Sequence, residues 1–402
     1  MKKQTNKGLF VEDNTYLPNL FEPLTIRNVV FKNRIVLAPM MQYRATDGFA
    51  SDWHLIHFGK FALGGFAAVM TEVVAVEREG RISHGDLGLW SDQHTEGLKR
   101  CVDAIHAENS LAAIQIGHAG RKASVKKAWE GGAALTDADA HRGTPAWPPV
   151  GPSPIAPSSA YPVPQTLSLK QIDGLVQSFA DAALRADQAG FDVLEIHGAH
   201  GYLIASFLSP LSNLREDEFG GDLDARMRFA LKVGAAVRAV WPDGKPLFFR
   251  ISAEDGGGPD GWGLDDSLIL SSKLKAIGID ILDCSSGGIQ GSATVQNSNR
   301  GLGYQVPFSD SIRRDSQVAT MAVGLILTGQ QAENIISSGQ ADLVAIGRQA
   351  LYDPYWPLHA RQELMPDPDF NGWNESTRWW LQKRASALKS LNLPIDGNLK
   401  NS

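Results

Sequence analysis

Two imidazoles and a phenol stand close together in the run Glu195-Ile196-His197-Gly198-Ala199-His200-Gly201-Tyr202. Val193, Leu194 and Ile196 read as a short buried strand leading into them. Such a trio can do three kinds of work. His197 and His200 can be half of a metal site, although no clear third and fourth ligand stands near them in sequence. They can be two buried, hydrogen-bonded histidines, a reading that gives Tyr202 no task. In the third reading, two imidazole N–H donors hold a carbonyl oxygen on which charge builds, each contributing about 3 kcal/mol. Tyr202 then delivers a proton, a task worth roughly 10²–10⁴ in rate.

The trio needs a scaffold that brings distant residues to one place. Eight short apolar runs recur along the chain: Ile35-Val36-Leu37-Ala38, Ala67-Ala68-Val69-Met70, Ala112-Ala113-Ile114-Gln115, Val193-Leu194-Glu195-Ile196, Leu247-Phe248-Phe249-Arg250, Ile279-Asp280-Ile281-Leu282, Ala319-Thr320-Met321-Ala322-Val323 and Leu343-Val344-Ala345-Ile346. Near-continuous apolarity is expected of strands buried on both faces of a parallel sheet. Helix signals separate the runs. Ser168 with Gln171 and Thr328 with Gln331 have the spacing of capping boxes, and Gly190 and Gly339 stand where helices stop. Leu98, Cys101, Val102 and Ile105 make an apolar helical stripe. Strands and helices alternating eight times predict an α/β fold, a single (β/α)8 TIM barrel. A doubly wound open sheet is the alternative, but no Gly-rich fingerprint follows an early strand.

The expected domain organisation is an N-terminal extension over residues 1–17, a barrel over 18–366 and a C-terminal extension over 367–402 that packs on the barrel or on a partner subunit. Residues 18–34 read as a hairpin able to plug the barrel floor. Proline-rich residues 140–167 read as a lid over the mouth after strand three, and residues 291–307 as a second long loop after strand six.

In such a barrel, chemistry sits at the C-terminal strand ends. Gly324 after strand seven and Gly347-Arg348 after strand eight leave backbone N–H groups and a charge for a phosphate. The ligand is then a phosphorylated cofactor or a phosphosugar. Gln115, ending strand three, can donate and accept at once, which matches an imide edge such as a flavin pyrimidine ring. Arg250, ending strand five, is costly when buried unless paired. Its partner is either a flavin that becomes anionic on reduction or a core carboxylate such as Glu195 or Glu72.

Composition narrows the classes further. The 402 residues carry a net charge of -6, which counts against a nucleic-acid partner, and are 43% hydrophobic with no window suited to crossing a bilayer. Two cysteines, Cys101 and Cys284, suit a reducing compartment and read as small buried hydrophobes. No apolar stretch follows Met1-Lys2-Lys3-Gln4, so a cytoplasmic location is expected. Lys99-Arg100 and Arg313-Arg314 read as solvated helix faces, and Trp53, His54 and His57 as packing.

With these residues laid out, the chain resembles the Old Yellow Enzyme family of FMN-dependent ene-reductases. Within it, the chain is most similar to the bacterial thermophilic-type branch typified by YqjM and xenobiotic reductase A. The resemblance runs from about Pro18 to about Trp356. It is carried by Leu20-Phe21-Glu22-Pro23-Leu24, Leu37-Ala38-Pro39-Met40, Gln115-Ile116-Gly117-His118-Ala119-Gly120-Arg121-Lys122, Ile196 through Leu203, Phe207-Leu208-Ser209-Pro210-Leu211-Ser212-Asn213, Phe219-Gly220-Gly221 and Ala345-Ile346-Gly347-Arg348.

The resemblance implies non-covalent FMN at the barrel mouth. Ala38, Pro39, Met40 and Met41 would pass along its reactive edge, with Val73 at a matching position. Gln115 and Arg250 would hold the pyrimidine end, and Gly324, Gly347 and Arg348 the phosphate. His197 and His200 would bind the substrate carbonyl, Tyr202 would be the proton donor and Tyr43 would line the substrate pocket. No metal is implied. The implied reaction takes hydride from NADPH or NADH to flavin N5, then to the β-carbon of an activated alkene in a small-molecule enone. A homodimer or homotetramer is implied as well. The chain departs from the branch at Met41, where a cysteine that tunes the flavin usually stands, and at Val73, which replaces a smaller residue. Relatives also insert an arginine from a neighbouring subunit; Arg378 and Arg384 are the candidates here, in a surrounding pattern that does not match. Two other readings stay beside this one: a metal-dependent barrel lyase or aldolase acting on a phosphorylated substrate, and a flavin-binding protein without turnover.

Overall fold

The computed structural model describes residues 17–291 and 300–393. The expectations for residues 1–16, for the middle of the 291–307 loop and for residues 394–402 fall outside them. The chain opens with an antiparallel hairpin, β1 (Leu24–Ile26) and β2 (Val29–Phe31). Parallel strands β3 (Ile35–Leu37), β4 (Ala68–Ala75) and β5 (Leu111–Gly117) follow. A small side pair, β6 (Val150–Gly151) and β7 (Gln165–Thr166), interrupts the alternation. Then come β8 (Val193–Gly198), β9 (Leu247–Ser252), β10 (Ile281–Ser285), β11 (Ala319–Val323) and β12 (Leu343–Ile346). Strands β3, β4, β5 and β8 to β12 form a closed parallel barrel, with β12 pairing back onto β3. All eight expected strands are present. The sixth starts two residues later than the apolar run, because Asp280 points out of the barrel to accept from Leu247 N at 2.9 Å and to pair with Arg27.

The pleat sorts each strand into two faces. Leu194, Ile196, Phe249, Ile251 and Leu282 face outward and join the large core that the helices cover, while Val193, Phe248, Ile281 and Met321 face the barrel axis. The hairpin closes the axis from below as expected: Phe31 stacks on Phe248 with centroids 6.2 Å apart, and Leu24, Ile26 and Val29 pack beside it. The helix Leu169–Gln188 starts at a complete capping box between Ser168 and Gln171 and ends before Gly190 at φ +92. At Thr328 only half the box forms; its hydroxyl accepts from Gln331 N, while the Gln331 side chain turns to Leu327 N. Cys101 and Cys284 are buried free thiols. Lys99, Arg100, Arg313 and Arg314 pair with aspartates on and around their helices. The tail forms a helix, Glu375–Ser390, that carries Arg378 and Arg384 and leaves Trp379 and Trp380 exposed.

Candidate active site

A cavity of about 690 Å³ opens at the C-terminal strand ends, within the range of cofactor and small-molecule sites. The residues expected to hold cofactor or substrate line it: Ala38, Pro39, Met40 and Met41 after β3, Tyr43 beyond them, Val73 on β4, Gln115 on β5, His197, His200 and Tyr202 at the end of β8 and after it, Arg250 on β9, Gly324 after β11, and Gly347 and Arg348 after β12; Arg378 and Arg384 do not. Among the described residues, no group of three or more His, Cys, Asp or Glu stands where it could hold a metal ion.

Beneath the cavity lies a buried polar layer. Gln115 pairs in register with Glu195, His197 with Arg250, and Arg250 with Asp283. Arg250 Nη1 lies 3.3 Å from Asp283, both almost wholly buried. Asp283 is therefore the partner, not Glu195 or Glu72 as the sequence suggested. Burial, with Asp283 close by, pushes the Glu195 carboxyl well above its usual range, and burial raises Asp283 too. Two carboxylates this deeply buried beside one another favour sharing a proton, while Arg250 balances the remaining charge. Gln115 Nε2 donates to Glu195 Oε1 at 2.7 Å. Its carbonyl oxygen and its second amide N–H remain for a ligand, so the donor-and-acceptor pair expected of it is still available.

Glu72 serves elsewhere. It sits at a register shift in β4, where it accepts from Gln42 N and faces His54 Nε2 at 3.5 Å. His54 Nδ1 accepts from Ser51 N at 3.1 Å, which puts the imidazole proton on the side of Glu72. This buried relay ties the Met41–Gln42 backbone to the first outer helix, and gives His54 more than a packing role.

The three rings sit together. The centroid of His197 is 5.0 Å from that of His200 and 5.2 Å from that of Tyr202. Burial first, then the charge of Arg250, holds both imidazoles well below their usual pKa, so each ring is neutral at pH 7. His200 adopts φ +62, with its N–H on Ser252 Oγ at 2.9 Å and its Nε2 2.7 Å from Ser285 Oγ. Ser286 donates to Gln305 Oε1 at 2.8 Å, closer than Ser285 at 3.4 Å. Ser285 Oγ thus stands between His200 Nε2 and Gln305 Oε1 and fixes that edge of the imidazole. Burial raises the Tyr202 phenol above its ordinary pKa, so the ring keeps its proton. Lys122 Nζ lies 5.5 Å from the Tyr202 centroid.

Other lining residues carry no mark in the sequence reading: Lys122, Lys126, Tyr161, Ser285, Ser286, Arg300, Tyr304 and Gln305. The lid begins earlier than residue 140. Val125, Ala128, Gly131 and Gly132 already line the cavity, and Trp147 reaches back to Glu79 O at 2.9 Å. Lys122 belongs to the quoted run ending in Gly120-Arg121-Lys122, and that position was its one available signal.

The residues fit a flavin mononucleotide. At one end, Gly324 sits at φ +117, and the helix Arg348–Tyr352 begins directly after Gly347, where the first N–H groups of a helix lack internal partners. At the other end are the Gln115 amide and Arg250, whose Nε is buried with no hydrogen-bond partner of its own. Gly347 itself packs close to Ala38 and Met40, whose side-chain atoms lie 3.6 Å from where a Cβ would stand.

Comparison with known proteins gives the family. Residues 19–367 match the model of the NADH:flavin oxidoreductase / NADH oxidase family. The NADPH dehydrogenase of Bacillus cytotoxicus is 44% identical over 347 residues, 86% of this chain and 92% of that relative. The NADPH dehydrogenase of Geobacillus sp. (strain WCH70) is 43% identical over 86% of this chain and 94% of its own length. Among solved structures, a 2-naphthoyl-CoA reductase complex aligns with a TM-score of 0.77 and 26% identity, over 88% of this chain and 53% of that longer one. Morphinone reductase aligns with a TM-score of 0.73 and 24% identity over 90% and 97% of the two chains, which shows the shared fold.

Proposed function

The chain belongs to the NADH:flavin oxidoreductase / NADH oxidase family as an FMN-dependent, NAD(P)H-using oxidoreductase of the Old Yellow Enzyme type, and on that premise we propose that it reduces the activated C=C bond of α,β-unsaturated carbonyl compounds. The observation that carries this reading is the neutral His197–His200 pair beside a protonated Tyr202, all lining one cavity.

Gly324, Gly347 and Arg348 would hold the FMN phosphate, Gln115 and Arg250 the pyrimidine end, and the Ala38–Met41 backbone with Val73 the reactive edge. Bound FMN supplies the hydride, taken from NAD(P)H and passed to the alkene β-carbon. His197 and His200 bind the substrate carbonyl oxygen. With the Ser285 hydroxyl turned to donate to its Nε2, His200 would offer Nδ1–H, and His197 makes no side-chain hydrogen bond among the described residues that would compete for a ligand. Neutral imidazoles suit this task, since they polarise the carbonyl without giving up a proton to it. Two aimed donors stabilise the charge that builds on that oxygen. Tyr202 protonates the α-carbon as the β-carbon is reduced. Tyr43, in edge contact with Trp129 at 5.6 Å, and Tyr161 give the substrate side an aromatic wall.

The test is direct. The purified protein is expected to be yellow, to bleach anaerobically with NADPH or NADH, and to recolour on addition of 2-cyclohexenone. A yellow protein that bleaches but is not reoxidised by any enone contradicts the proposal.

A further inference from the structure

Lys122 lies on the short turn Gly120–Lys122 after β5 and is 4% exposed. A lysine is rarely buried so far without a carboxylate to pair with. Among the described residues its Nζ makes no ion pair. It donates instead to three backbone carbonyls: His200 at 2.6 Å, Gly291 at 2.6 Å, and Gly288. An ammonium has three N–H groups, so these acceptors saturate it.

Those carbonyls belong to two loops pressed backbone to backbone. A Cβ on Gly288 would stand 2.6 Å from His200 Cα, and one on Gly201 would stand 2.2 Å from Gly288 O. Both glycines have positive φ, and so does His200, which pays a steric cost that they avoid. His200 is thus held at its N–H by Ser252, at its ring by Ser285 and at its carbonyl by Lys122. Without Lys122 the crowded carbonyls of the two loops would have no common donor.

We propose that Lys122 is a positioning residue of the carbonyl clamp: by bridging the loops after β8 and β10 through their carbonyls, it holds His200 in the left-handed backbone conformation that sets its imidazole beside His197. The proposal rests on the reading that these imidazoles bind the substrate oxygen. It assigns to Lys122 no contact with substrate.

A double-mutant cycle on the holoenzyme tests it. The probe is 2-cyclohexenone, a neutral carbonyl ligand, titrated against the oxidised protein by flavin absorbance. Lys122→Met is expected to weaken binding at least tenfold in the wild-type background, with flavin content unchanged. In a His200→Ala background the same substitution is expected to cost less than about twofold, since the group it positions is gone. An equal loss in both backgrounds overturns the proposal and leaves the clamp reading standing. A wild-type protein that binds no enone, or a His200→Ala variant that binds it normally, overturns both. If Lys122→Met does not fold, Lys122→Gln, which keeps N–H donors, enters the same cycle. It is expected to show a smaller loss with the same dependence on His200, and a loss independent of His200 again overturns the proposal.

Discussion

The floor and the mouth of this barrel are built on the same strands and follow opposite rules. Up four neighbouring strands, the inward side chains run Ala113 to Gln115, Val193 to Glu195 to His197, Phe248 to Arg250 to Ser252, and Ile281 to Asp283 to Ser285. A single step of the pleat turns apolar packing into a buried polar layer. The floor asks only for volume and apolarity, which the hairpin and the lower side chains supply by themselves. The mouth holds buried atoms without partners on Arg250, His197 and His118, so its order depends on neighbours and on what the cavity binds. Changes at the floor should therefore alter stability and leave the chemistry alone, and changes at the mouth should do the reverse.

The largest effect tests the floor. Phe248→Ala removes the ring that stacks on Phe31 and should cost about 3–5 kcal/mol of unfolding free energy. Denaturant titration measures that loss, and the KM for enone of the folded protein should stay within about twofold. A normal stability with an altered KM would break the comparison. Acid should act at the mouth, where buried histidines stand. Burial lowers the His118 pKa to about 4, and its Nδ1 accepts from Gly120 N at 2.9 Å. Between that value and the unfolded value of 6.5 the unfolded chain binds more protons, so this contribution is present above pH 6.5 and is lost as pH falls to about 4. One such histidine is worth on the order of 3 kcal/mol. Asp86, whose buried carboxyl is raised to about 7, works in the opposite direction as pH rises through the same range. His118→Asn, which keeps an acceptor for Gly120, should flatten the fall in melting temperature between pH 6.5 and 4, and an unchanged slope would remove His118 from the account.

Smaller effects sharpen the picture of the mouth itself. Asp283→Asn takes the charge from Arg250 and should cost about 1–3 kcal/mol in FMN retention, read by dialysis of the yellow protein. Retention equal to wild type would mean that Arg250 needs no partner below it. The smallest effect is expected at Met41, whose sulfur is only a weak acceptor. Relative to Met41→Cys, the wild-type flavin should have the lower midpoint potential, and equal potentials would show that this position does not tune it.

The same contrast explains what the sequence made legible. The barrel could be read because strands covered on both faces appear as continuous apolar runs, and His197, His200 and Tyr202 could be read because they interrupt such a run at its end. Arg250 was seen as needing a partner, but Asp283 lies beyond the residue at which the apolar run of its strand stops. Lys122 was quoted without a role, since its acceptors are 78, 166 and 169 residues away and are backbone carbonyls, which have no side-chain signature. Ser285, Ser286 and Gln305 sit in loops whose path no periodicity fixes. The lid was placed after its proline content, and Tyr161 within that stretch does line the cavity, but Val125 to Gly132, which line it too, precede the prolines.

The central claim is that Tyr202 gives its proton to a substrate whose oxygen the two histidines hold. Anaerobic rapid mixing of Tyr202→Phe, following flavin absorbance in each half-reaction, tests it most directly. The account predicts bleaching by NADPH within about twofold of wild type and reoxidation by 2-cyclohexenone slowed by roughly 10²–10⁴. Reoxidation at the wild-type rate, or equal slowing of both half-reactions, would contradict it.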